Sequence, residues 1–260
     1  MRRPKHQIGT FLLGLHCLFF SMTAVPCRAE TQIESSMFFR IYVAFKVPSE
    51  AVQLWLPGSW EAVQLPRGPF EGANLYVIFD DKFVKMDGEG KSFKDGTYCN
   101  AALLAFGKHS ESGEFAPFVI RIYWPFDDPN EYYQNAFKAS VRREMSQKDS
   151  DATDRTAMED WLVQDQKGGL IAFSMEYRRS PAKRQQGEFK VRSNIKADEY
   201  LIYRDDYASE LVKSIPAGVD RTTGIRFLTT MAELRDLFDG SEEMVGVSVM
   251  PTRVREVFLP

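Results

Sequence analysis

The sequence predicts a mainly β (α+β) chain whose antiparallel strands close, or nearly close, into a barrel with a few short covering helices. Three observations predict it. Alternating or wholly apolar runs recur along the chain, separated by Gly, Pro and Asp turns. Nowhere does a strand lead into the long crossover helix of a βαβ unit. About 230 residues remain after an N-terminal leader, which suits one barrel-type domain.

The leader is residues 1–29. Arg2, Arg3 and Lys5 form a positive start, Ile8 to Val25 is apolar, and Cys27-Arg28-Ala29 supplies small residues at the cleavage positions. The expectation is a secretory signal cleaved after Ala29; the alternative is a retained membrane anchor. The domain that follows, 30–260, is then secreted or periplasmic, with no membrane contact once the signal is gone. The leader carries four cations and no acid, so its loss moves the formal charge from −3 to −7. An acidic domain does not suit nucleic acid, whose affinity comes largely from Lys and Arg neutralising phosphates.

Met37 to Val47 alternates, with Phe39, Ile41, Val43 and Phe45 on one face and Arg40, Tyr42 and Lys46 on the other; this is a half-buried strand with Arg40 facing out. Ala51 to Leu56 is a short helix capped by Ser49 and stopped by Pro57-Gly58. Asn74 to Phe79 is an apolar strand, Asp87 to Gly96 a polar loop, and Tyr98 to Phe106 a strand on which Asn100 is the polar exception. Phe115 to Trp124 follows as a strand interrupted by Arg121. Tyr133, Phe137 and Val141 then recur every four residues, which predicts a helix from Asn130 to about Met145. Ser146 to Gly169 reads as a polar surface excursion around Trp161. Leu170 to Tyr177, Glu188 to Ile195, Glu199 to Tyr203 and Gly224 to Thr230 are strands, Ala232 to Phe238 a short helix, and Met244 to Met250 and Arg253 to Leu259 two closing strands.

Once the leader is removed, Cys99 is the remaining cysteine and His109 the remaining histidine. One of each makes neither a disulfide framework nor a histidine zinc site, so no metal and no cofactor is expected. As a catalytic dyad they fail on distance, since ten residues of strand separate them by roughly 30 Å. Gly90-Lys91-Ser92 lacks the earlier glycine of a phosphate loop. Arg121, a guanidinium in an apolar strand, must reach solvent or meet an anion, and inside a barrel it is a clamp for a carboxylate. Lys138 and Arg142 lie four apart, hence on one face of the expected helix. Near apolar walls, Arg142 would depress the lysine's pKa and free its amine as a nucleophile towards ketones; on a solvated face the pair is simply a basic edge.

Several stretches together resemble the acetoacetate decarboxylase-like superfamily: FKVPSEAVQLWLPGSWEAV, NLYVIFDD, GTYCNAALLAF, GEFAPFVIRIYWPFDDPNEYYQNAFKASVRR and the ending EEMVGVSVMPTRVREVFLP. The resemblance spans most of residues 30–260. It implies a β-barrel with a buried pocket, usually in a homo-oligomer, and a lysine that forms a Schiff base with a β-keto acid beside a second lysine. The active-site segment departs from that pattern. Where the family has aromatic-Pro-Lys-Lys, this chain has Phe137-Lys138-Ala139-Ser140, and Asn100 stands where the family has an acid. No acid is evident in Leu75 to Phe79, and Arg40 lies near the position of the family's N-terminal carboxylate-binding arginine.

Two functions stay open. One is an exported Schiff-base lyase of decarboxylase or aldolase/dehydratase type, with Lys138 as nucleophile and Arg121, Asn100 and Arg142 holding a small keto acid or carboxylate. The other is a catalytically silent barrel that binds a small molecule or scaffolds a partner.

Overall fold

The computed structural model describes residues 30–149 and 155–260; the expected signal at 1–29 and the middle of the polar segment, 150–154, lie outside the described residues. Among the described residues, strands β1 (Thr31–Lys46), β3 (Leu75–Asp87), β4 (Tyr98–His109) and β5 (Phe115–Trp124) follow one another, with helix α1 (Ser49–Gln53) and the short β2 (Trp60–Ala62) after β1. Next come β6 (Ala136–Asp149), β7 (Arg155–Asp165) and β8 (Leu170–Arg178). The chain ends with β9 (Lys183–Ser193), β10 (Tyr200–Ser214), β11 (Val219–Asp220), β12 (Thr222–Thr229) and β13 (Glu243–Leu259).

Seven of these strands close on themselves. β9 pairs with β10, β10 with β13, β13 with β1, β1 with β3, β3 with β4 and β4 with β5, all antiparallel. The ring is completed where β5 runs parallel to β9, Phe118 opposite Arg192 and Val119 opposite Ser193. The register of β4 on β5 slips between Leu103 and Leu104. Past that irregularity the free edge of β5 changes partner, and Ile122 to Trp124 pair in parallel with Ala136 to Lys138 of β6. A second sheet in the order β6-β7-β8-β12 therefore branches from the barrel wall.

The period of two in the sequence now has a physical meaning on both faces. On β1 the odd positions Phe39, Ile41, Val43 and Phe45 are buried against the second sheet, while Arg40 and Tyr42 point into the barrel interior. Trp161 of β7 stacks on Phe39 (ring centroids 6.5 Å apart) and lies 5.3 Å from Phe79, which in turn stacks on Phe173 of β8. The seam contains one ionic link: Arg143 donates to Asp81 of the barrel and to Glu159 of β7, each at 2.8 Å, with its guanidinium over the Phe39 ring.

Three expectations are corrected. Asn130 to Met145 is not a helix: Asn130 to Asn135 is a turn with positive φ at Asn130 and Gln134, and the rest is β6. A recurrence of four is also a multiple of two, and in β6 it is Ala139, Val141 and Arg143 that alternate inward. Nor is Ser146 to Gly169 a surface excursion, because Ala157, Glu159, Trp161 and Val163 of β7 are buried. The segment Ala232 to Phe238 holds a single 3-10 turn, Ala232–Leu234. The first helix exists but is Ser49–Gln53 rather than Ala51 to Leu56, so Ser49 lies inside it, with Pro48 at the cap position and no side-chain cap.

Trp161 is only 2% exposed between the two layers. Trp161→Ala is expected to lower the unfolding free energy by about 3–5 kcal/mol in urea titrations, as for other buried Trp truncations. A loss below about 1 kcal/mol would return this segment to the surface.

Candidate functional site

The barrel holds a cavity of about 580 Å³ at one end. Its wall is mostly apolar and aromatic: Ile78, Leu104, Val119, Trp124, Tyr133 and Tyr203 face it. Into this wall the strand register delivers charge. Arg40 on β1 stands opposite Asp80 on β3, which stands opposite Asn100 on β4. Arg40 donates from Nε and Nη2 to the two Asp80 oxygens at 2.5 and 2.6 Å, a bidentate pair buried on both sides.

A second buried ion group adjoins the first. Asp205 of β10 accepts from Arg253 and from Arg255, the latter at 2.8 Å from Nε. Tyr42 ties the groups together, accepting from Arg40 at 2.8 Å and from Arg253 at 2.9 Å. Burial would raise the Asp205 pKa, but Arg255 and Arg253 overcome it and hold the carboxyl well below its ordinary value. The Tyr42 hydroxyl is likewise shifted down: burial opposes ionisation, but Arg253, Arg40 and Arg255 outweigh it.

Three guanidiniums thus share two carboxylates, and a fourth cation joins them. Lys82 of β3, 7% exposed, lines the same cavity with its amine 3.5 Å from the Ser36 hydroxyl and 3.8 Å from the Phe38 ring centre. Among the described residues no carboxylate comes within 4.0 Å of that amine. Burial, helped by Arg255 and Arg40, outweighs the pull of Asp80 and Glu34 and brings the Lys82 pKa down to about 8. A substantial share of this amine is unprotonated at mildly alkaline pH. The chemistry available here is anion binding by the guanidiniums beside a nucleophilic nitrogen.

Of the four residues singled out from sequence, Asn100 faces this cavity. Arg121 lies on the outer face of β5, donating to Glu233 at 2.9 Å and stacked over the Phe137 ring at 4.1 Å. Lys138 lies on β6, its amine 2.8 Å from both oxygens of Asp127. Arg142 is exposed on the outer face of the second sheet, beside Glu144 and Asp160. On a strand Lys138 and Arg142 are separated by about 13 Å of chain, so the helical juxtaposition that would have perturbed the lysine does not arise. Cys99 and His109 sit at opposite ends of β4, and burial together with Asp81 pushes the thiol up to about 12.

Arg40, Asp80, Lys82, Asp205, Arg253 and Arg255 were not singled out as site residues. Their signal is a charge at every second position of strands whose other face is apolar. In an open sheet that pattern marks the solvent face, which is how Arg40 reads; in a closed ring the second face is the interior. The sequence shows no acid in Leu75 to Phe79; the next residue of β3, Asp80, is one and faces the cavity.

No family model and no curated protein sequence matches this chain. Solved structures do. The enduracididine biosynthesis enzyme MppR, complexed with the condensation product of pyruvate and imidazole 4-carboxaldehyde, is 10% identical over 96% of each chain, with a TM-score of 0.56. MppR complexed with pyruvate covers 94% of each chain at 10% identity and a TM-score of 0.52. An acetoacetate decarboxylase covers 88% of this chain and 87% of its own at 11% identity and a TM-score of 0.51. The chain has the acetoacetate decarboxylase-like fold.

Lys82 gives the site a pH signature. An unfolded lysine keeps its proton to about pH 10.4, whereas Lys82 in the fold releases it near 8. Between these values the unfolded chain binds more protons, so this residue makes stability rise with pH. Lys82→Met is expected to abolish that slope and to stabilise the fold at pH 7 by about 3 kcal/mol. Urea titrations of both proteins from pH 7 to 10.5 check this; a Met variant less stable than the wild type at pH 7 would contradict it.

Proposed function

We propose that this chain is an exported small-molecule-binding barrel that takes a small keto acid into the 580 Å³ cavity and captures its carbonyl on Lys82 as a Schiff base. One observation carries the reading: a buried amine with no carboxylate within 4.0 Å among the described residues, set beside the three guanidiniums that share two carboxylates. Buried surplus positive charge favours an anionic occupant, because low-dielectric surroundings strengthen the attraction and water does not compete. The MppR complex with pyruvate supports a keto acid as the kind of ligand that this fold accommodates.

The carboxylate of the ligand is drawn to the Arg40–Arg255 side, which directs its carbonyl towards Lys82. The unprotonated amine adds to the carbonyl carbon, and the carbonyl oxygen leaves as water after taking up protons, giving an iminium. With a β-keto acid, the electrons of the bond to the departing carbon dioxide move into that iminium. The resulting enamine is protonated at carbon, and water returns the amine and a ketone. Asn100 is placed to hydrogen-bond the ligand or the departing water, which an ionised acid would do differently. The replacement of that acid favours a second reading, a barrel that binds without turnover.

Incubation with pyruvate or acetoacetate followed by borohydride, then peptide mapping by mass spectrometry, separates the readings. The expected result is a reduced adduct on Lys82, lost in Lys82→Met, kept in Lys138→Ala, and forming faster as pH rises towards 8. An adduct confined to Lys138 would move the chemistry to the strand-edge amine. Binding without any adduct would leave a silent carboxylate binder. Export is checked by the N-terminus of the protein recovered from the periplasm or medium, expected at Glu30.

A further inference from the structure

The barrel contains a second cavity, of about 520 Å³, towards the end where Phe70 lies against Gly246. It is lined by the same inward faces further along the strands, among them Tyr76 of β3, Tyr207 of β10 and Arg253 of β13. Tyr42 and Phe189 line both cavities and form the partition between them. Arg40 donates to the Tyr42 hydroxyl from the side of the first cavity, and Arg253 donates to it from the side of the second. The two spaces are therefore back to back across one charged layer.

The composition of this second wall is selective. Among the described residues three cations line it, Lys183, Arg221 and Arg253, and no carboxylate does, in a protein with a formal charge of −3. Five aromatic rings, Tyr42, Phe70, Tyr76, Phe189 and Tyr207, supply flat surface. Arg253 is 1% exposed and its Nε lacks a hydrogen-bond partner, as does one buried terminal nitrogen of Arg221. Arg253 pairs with Asp205 through Nη2, but its Nε and the Arg221 nitrogen are N–H groups left over on a wall without carboxylates among the described residues, and they favour an anion. Rings around an arginine favour a flat organic body over inorganic phosphate. The position of Gly246 is part of the construction: a Cβ there would come within 2.7 Å of the Phe70 ring and 2.6 Å of the Lys213 carbonyl oxygen. Any larger residue would push Phe70 out of its place.

We infer that this end of the barrel is a second binding site, for a small carboxylate carrying an aromatic ring, and that it is separate from the Lys82 cavity. The ring lies among Tyr76, Phe189 and Tyr207, with the carboxylate towards the guanidinium side. The volume lies within the range that single small ligands occupy. This site does not depend on covalent capture at Lys82.

Benzoate and its uncharged counterpart benzamide are the probes, titrated calorimetrically into the full chain and two variants. Ser209→Trp fills the second cavity, and Ala102→Trp fills the first. The expected result is that benzoate binds about tenfold more tightly than benzamide, the scale of one charge-assisted contact. Ser209→Trp should weaken benzoate by about tenfold or more, while Ala102→Trp leaves it within about twofold. If Ser209→Trp does not fold, as judged by circular dichroism, Arg221→Gln at the same wall should show the tenfold loss. Equal affinity for benzamide, benzoate binding abolished by Ala102→Trp alone, or no binding of benzoate would each overturn the inference.

Discussion

The structure depends on Asp205. This carboxylate sits between the guanidiniums of Arg253 and Arg255, and it is buried with them. Removing one partner of such a group strands a charge in low dielectric, at a cost of about 3–5 kcal/mol. The register of β10 on β13 must therefore keep Asp205 opposite Arg255 and Tyr207 opposite Arg253, as it does. From that layer, Tyr42 reaches Arg40 and Asp80 across β1 and β3. One ionic tier thus spans the barrel and divides its interior in two. Its buried charges facing the first space are Arg40, Lys82 and Arg255 against Asp80, while the more exposed rim of that cavity adds Lys85 and Lys94 and the acids Glu34, Asp95, Asp128 and Glu131.

The strands were largely legible, because alternation survives wherever one face is apolar. Met244 to Met250 and Arg253 to Leu259 were each recognised, and they are two parts of one strand, β13, continuous through Pro251-Thr252. Legibility failed where a buried position carries a charge. In β7 the inward set is Ala157, Glu159, Trp161 and Val163; Glu159 breaks the apolar pattern, and its partner Arg143 comes from another strand. Neither residue alone signals burial. In β6 the spacing of Tyr133, Phe137 and Val141 satisfied a helical period, yet Phe137 is exposed and Tyr133 lies in the preceding turn, packed into the barrel cluster.

The candidate site was legible only in part, and for a reason of topology. Asn100 was recognisable as a polar residue on a buried strand face, and it does face the cavity. Arg40 was read as pointing outward because a half-apolar strand ordinarily gives its polar face to water. Closure of the ring, fixed by two residue pairs between β5 and β9, turns that face inward. Lys82 carries no local sign of its setting, since its neighbours Asp81 and Phe83 alternate to the other side and its shift comes from burial inside the ring, helped by Arg255 and Arg40 on other strands. The lysine suggested by resemblance, Lys138, belongs to a strand that leaves the barrel at the branch. Its local sequence could not reveal that β5 changes partner there.

The central claim is that the buried surplus of positive charge makes the barrel interior a receptor for a small carboxylate. Calorimetric titration with pyruvate and, in parallel, with acetone tests it most directly, since the two share a ketone and differ in the carboxylate. Saturable binding of pyruvate at the barrel and no measurable heat with acetone are expected. Equal responses to the two, or none to pyruvate, would contradict it.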